Sequence, residues 1–157
     1  MQELRQNLIN VALQWQRQYG IAPAITSALS EYDAAKLIGM NDQDYAEYMC
    51  DKTAVSRGHD FIHNNIRYQI KAHRPSGKPG SFITNAGKAR NYDWDILIWI
   101  RYNTEYEIQE AWSWTREAYI AAFDAATRIS PADMRKGQAS FGDSIYNSSN
   151  SNILSPE

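Results

Sequence analysis

Residues 59–74 read HDFIHNNIRYQIKAHR, and how this stretch folds decides how the rest of the chain is read. Asn64-Asn65 lies between two runs of β-compatible residues, and Asn accepts the positive φ that a two-residue hairpin turn requires. The turn predicts a register in which His63 pairs with Ile66, Ile62 with Arg67, Phe61 with Tyr68 and Asp60 with Gln69. Alternation along the second strand then places Ile66, Tyr68, Ile70 and Ala72 on a core face. Arg67, Gln69, Lys71 and His73 share the opposite face. A carboxylate, an amide and an ammonium group side by side form a polar cluster that is costly unless something uses it.

Outward from the hairpin, the N-terminal part of the chain is helical in pattern. Residues 2–19 predict an amphipathic helix with Leu4, Leu8, Val11, Leu13 and Trp15 as its apolar residues and Gly20 as its stop. A second helix is expected over 27–38, with Leu29, Ala34, Leu37 and Ile38 buried and Gly39 ending it. Asn41 or Asp42 can cap a third through Met49. Beyond the hairpin, strands are expected at 94–102 and 106–112, after a basic loop at 74–91. WDILIWI is nearly continuous apolar sequence and predicts a central strand covered on both faces. Thr115 caps a further helix through Ala126, and Ser130-Pro131 opens a short one. Helices, a β-meander and a helix make a mixed α/β (α+β) domain over 1–137, with residues 138–157 a Ser/Asn-rich tail.

At 157 residues with 43% hydrophobic content, the chain is long enough to bury a core, and five Trp and ten Tyr enrich it. The Trp residues at 94, 99, 112 and 114 are expected in that core rather than stacked on bases. The single Cys50 forms no intramolecular disulfide and reads as a small buried hydrophobe. The first residues, MQELRQNLINVALQWQ, resemble neither a signal peptide nor a membrane span, so a cytoplasmic protein is expected. The net charge of −2 is unevenly spread. From Lys52 to Arg90 there are eight basic residues, Arg57 among them, against Asp60 alone, leaving eight basic and seventeen acidic residues elsewhere. Such a patch on an acidic body suits a polyanion at one surface. No phosphate-binding loop, dinucleotide fingerprint or nucleophile elbow is present. His59 and His63 face away from Gln69, and no cysteine pair exists, so a zinc site is not expected.

A hard divalent cation with a phosphate is what the polar face of the hairpin could serve. Asp60 offers a carboxylate, Gln69 an amide oxygen and Ile70 a backbone carbonyl. Lys71 is positioned to act on an attacking water and on transition-state charge. An ordinary surface hairpin is the competing reading of the same residues.

Asp60, then nine residues on Gln69-x-Lys71 in YQIKA, resembles the PD-(D/E)XK, or restriction-endonuclease-like, nuclease superfamily, in the variant with Gln at the second acidic position. His59 stands where the family pattern has Pro. Glu31 in SEYDAAKLIG matches the Glu that members carry on the helix before this hairpin. The resemblance spans residues 28–112. It implies a mixed central sheet flanked by helices and Mg²⁺-dependent hydrolysis of double-stranded DNA, with Mn²⁺ able to substitute. It also implies a type II restriction-like role, and a single small domain of this kind cuts both strands most simply as a homodimer. Asp60, Gln69, Lys71 and Glu31 are the expected catalytic residues, with Asp60, Gln69, Ile70 and Glu31 around the metal. Arg67, His73, Arg74, Lys78, Lys88 and Arg90 are expected to contact DNA, helped by Ser76, Ser81 and Asn85. Two alternatives stay open: a catalytically silent DNA-binding or assembly module, and an unrelated domain whose basic hairpin binds an acidic protein.

Overall fold

The computed structural model describes residues 2–52 and 58–137; the expectations for Arg57 and for the 138–157 tail lie outside these. Three helices come first: α1 (Gln2–Tyr19), α2 (Thr26–Leu37) and α3 (Asp42–Asp51). Four strands follow, β1 (Phe61–His63), β2 (Ile66–His73), β3 (Ile96–Tyr102) and β4 (Ile108–Thr115). Then come α4 (Arg116–Phe123) and α5 (Pro131–Met134). Asn41 caps α3 by accepting from Asp44 N, and Thr115 caps α4 by accepting from Ala118 N. Ser130 and Asp133 close a reciprocal capping box over α5. Gly39, at φ +87°, takes the left-handed step that ends α2.

The strands form one mixed sheet in the order β1-β2-β3-β4, flanked by helices. Asn64 and Asn65 both adopt left-handed φ, 50° and 63°, and the hairpin register is Phe61 to Tyr68, Ile62 to Arg67 and His63 to Ile66, as the turn predicted. The meander reading is corrected at the next pair: β2 and β3 run parallel, with Gln69 beside Leu97, Lys71 beside Trp99 and His73 beside Arg101. A parallel step needs a long crossover, and the 74–95 segment supplies it without a helix. That loop is tied down by its basic residues. The Arg74 guanidinium donates to Thr104 O at 2.6 and 3.0 Å and to Gln16 Oε1 at 2.7 Å. It also lies 4.2 Å from the Tyr106 ring centre.

Each sheet face has its own core. Tyr68, Ile70, Ile98, Ile100 and Tyr102 pack against Ile9 and Ala12 of α1 and Leu29, Ala34 and Ala35 of α2. On the other face, Leu97, Trp99, Trp112 and Trp114 meet Trp94 together with Tyr119 and Phe123 of α4 and Met134 of α5. The four Trp residues are therefore core, as expected, and β3 is buried on both faces. Two expectations fail. Cys50 is exposed, because α3 buries none of its residues completely. α1 turns Ile9 and Ala12 inward and leaves Leu4, Leu8, Val11 and Trp15 exposed. A partly buried ion pair ties the helix down. Arg5 holds Asp33 of α2 through two hydrogen bonds, 2.6 and 2.8 Å, and Tyr102 of β3 donates to the same carboxylate at 2.6 Å.

Candidate metal centre

Asp60 sits one residue before β1 and extends its ladder, its N–H donating to Tyr68 O at 2.8 Å. Beyond that point β1 has no backbone acceptor for the next β2 amide. The Asp60 carboxylate takes its place, with Oδ2 accepting from Ile70 N at 2.7 Å and from Gln69 Nε2 at 3.0 Å. The predicted Asp60–Gln69 juxtaposition is therefore present.

From the helical layer, α2 brings Glu31 against Asp60. The two carboxyl groups lie close enough to feel each other's charge, and the Glu31 pKa is pushed up to about 7 by its burial and then by the Asp60 charge, while Lys52 pulls it down. Lys52, at the end of α3, donates to Asp60 O at 2.6 Å. Tyr45 of α3 stands near both carboxyls; its hydroxyl is held well above the usual range by burial and by the Glu31 and Asp60 charges. Lys71, two residues past Gln69 on the same face of β2, is half-buried. Burial and nearby Arg90 lower its pKa, and Asp60 opposes them. Two carboxyls, an amide and an ammonium group thus converge from α2, the approach to β1, and β2.

One donor differs from expectation in its orientation. Gln69 turns its NH₂ group, not its oxygen, toward Asp60, and the same nitrogen lies 3.4 Å from Ile70 O. Its oxygen reaches a cation beside Asp60 only after the amide turns over. Among the described residues no three His, Cys, Asp or Glu side chains gather as a metal-ligand group. A cation here would therefore rest on two carboxylates, with the amide, the Ile70 carbonyl, water and phosphate oxygens completing its shell. Mg²⁺ accepts such a set.

The residues expected to touch DNA divide into two groups. Lys78 and Arg90 are exposed. Arg67 is instead engaged by Asp95, with bonds of 3.1 and 3.2 Å to its guanidinium, and this pairing holds Asp95 at about 2. Lys88 donates to Asp124 O and Ala126 O after α4, and Arg74 anchors the crossover. These three have structural partners to leave before they reach a phosphate. Ser76, Ser81 and Asn85 serve turns of their own loop. His73 accepts at Nδ1 from Trp99 Nε1 at 3.0 Å, so its proton is on Nε2 when neutral; burial, then Lys71, lowers its pKa.

Two groups were not assigned from the sequence. Lys52 and Tyr45 join the carboxyl pair through α3, and only the basic run at 52–90 hinted at Lys52. Past His73, the buried Glu110 carboxylate accepts from Arg101 at 2.7 Å, from Arg135 at 2.5 and 2.9 Å and from Trp112 Nε1 at 3.0 Å. Arg101 and Arg135 are thereby held at the edge of the Lys71 face. No protein-family model matches the chain, and a search of curated proteins finds no match either.

Proposed function

We propose that this chain is a Mg²⁺-dependent endonuclease with a restriction-endonuclease-like core, hydrolysing phosphodiester bonds of double-stranded DNA. The observation that carries the reading is the meeting of Glu31 with Asp60 beside Gln69 and Lys71. Two neighbouring half-buried carboxyls repel once both ionise, and a divalent cation relieves that repulsion. Glu31, Asp60, the Ile70 carbonyl and Gln69, its amide turned over, would hold the ion. Bound there, Mg²⁺ supplies Lewis acidity toward a phosphate oxygen and acidifies a water.

The remaining work belongs to side chains of the chain itself. Lys71, within the field of Asp60 and with a weakened hold on its proton, is suited to orienting the attacking water and to offsetting charge on the phosphorane. Arg90 stands close enough to add to that positive field, and Lys78 is exposed for backbone contact. Lys52 holds the Asp60 main chain and moderates Glu31.

The Gln69–Asp60 hydrogen bond favours one rival, a silent DNA-binding module, because it occupies part of the donor set. Supercoiled plasmid incubated with the protein in Mg²⁺, in Mn²⁺ and in EDTA separates the two. Metal-dependent nicking or linearisation is expected from the native chain. Lys71→Ala should lower it by at least ~10²-fold with an unchanged melting temperature. DNA shifted on a gel but never cut in either metal would establish the silent module instead.

A further inference from the structure

Among the described residues, eight large apolar side chains stand exposed, and six of them lie on α1 or just past its end. They are Leu4, Leu8, Val11, Trp15, Tyr19 and Ile21, each 39–67% exposed. The first five recur at spacings of four, three, four and four, so they form one continuous strip along the helix rather than scattered surface residues. From Leu4 to Trp15 that spacing is the 3.5-residue period of a helix-pairing seam, and the one charged residue in the span, Arg5, is bonded to Asp33. The helix already has an inward face at Ile9 and Ala12, so the strip is a second apolar face.

Its two halves differ in shape. Beside Leu4 and Leu8, an apolar groove of about 350 Å³ runs between α1 and the α2–α3 pair, floored by Leu29, Tyr45 and Met49. Toward the other end, Trp15 and Tyr19 stand out as a ring pair with centroids 4.7 Å apart. A groove at one end and an aromatic projection at the other make the strip complementary to itself when reversed. Residue 4 and residue 15 are ~16 Å apart along the helix axis. A two-fold axis through the middle of the strip, between Leu8 and Val11, brings each projection over the other copy's groove.

We infer that α1 is a homodimer interface, pairing antiparallel with α1 of a second copy and seating Trp15 in that copy's groove. Reciprocal contacts of this kind are what a two-fold interface requires. The area suits it. Side chains of this size, exposed to this extent, present on the order of 600 Å², and the groove walls add to it, against ~800 Å² per partner in a standard interface. Aromatic anchors seated in a pocket are also where binding energy concentrates. The pairing is independent of any chemistry at the carboxyl pair.

Sedimentation equilibrium of the full chain tests it. The native protein should show twice the 18.0 kDa chain mass at micromolar concentration. Trp15→Glu, on an exposed position, should raise the dissociation constant at least ~30-fold while the circular dichroism and melting profile of the monomer stay native. Leu8→Glu should act likewise. Phe82→Glu, at a still more exposed apolar residue in the crossover, should leave the dimer intact. A native chain that stays at 18.0 kDa at high concentration overturns the inference, as does a dimer that survives both α1 substitutions or is lost equally in Phe82→Glu.

Discussion

Glu31 is the residue whose behaviour reveals most about the site. Unfolded, its carboxyl ionises near 4.5, and in the folded chain near 7, because burial and Asp60 both oppose its charge. The folded state thus keeps a proton that the unfolded state has lost between those values. The associated stability is present below pH 4.5 and disappears as pH rises through 7. For a half-exposed group, screening reduces the effect to about 1–2 kcal/mol. Glu31→Gln should therefore stabilise the cation-free protein at pH 8 by about that amount and change little at pH 4.5, as read from urea unfolding at both values. Equal effects at the two pH values would mean that Glu31 is not strained by its neighbour. Gln69 and Lys71 were legible beside Asp60 because a two-residue turn at Asn64-Asn65 dictates what stands opposite it, whereas Glu31 was marked only by the family resemblance. Lys52, Tyr45 and the orientation of the Gln69 amide were not legible. They depend on how α3 packs and on a choice of hydrogen bonds, neither of which has a local sequence signal.

Elements were predicted well where one pattern dominated. The caps at Asn41, Thr115 and Ser130 and the buried run of β3 follow from a few residues each. α1 shows the limit: its apolar periodicity was correct, but the face it marked is not the one turned inward. The helix is also held by a long-range pair, Arg5 with Asp33, that periodicity does not reveal. Asp33 is 5% exposed and satisfies both Arg5 and the Tyr102 hydroxyl, joining α1, α2 and β3. Asp33→Ala leaves a partly buried guanidinium without its counter-ion and should cost about 3–5 kcal/mol in chemical denaturation. A loss below about 1 kcal/mol would mean that the apolar contacts of Ile9 and Ala12 alone orient α1.

Over the whole molecule, the sheet separates two working faces. One is covered by α1–α3 and carries the carboxyl pair at its β1 end. The other is closed over the tryptophans by α4 and α5, yet carries Lys71, His73 and Arg101 along β2 and β3. Among the described residues no helix is long and apolar enough to cross a membrane. The parallel β2–β3 pairing was hidden in the sequence because strand composition carries no direction, and the crossover that makes it possible has no helix to announce it. This arrangement sets Lys71 on the sheet and Glu31 on a helix around the same point, so the proposed chemistry rests on a cation shared by Glu31 and Asp60. Thermal melting at pH 8 with and without Mg²⁺ or Mn²⁺, on the native chain and on Asp60→Asn, probes that sharing without any substrate. Asn at position 60 keeps an acceptor for Ile70 N, so the strand edge survives the change. A cation bound at ~100-fold over its dissociation constant adds about 2.7 kcal/mol to folding. The native melting temperature should rise by several degrees and that of Asp60→Asn should not. No rise in the native chain, or the same rise in both, would contradict a cation held between these two carboxyls.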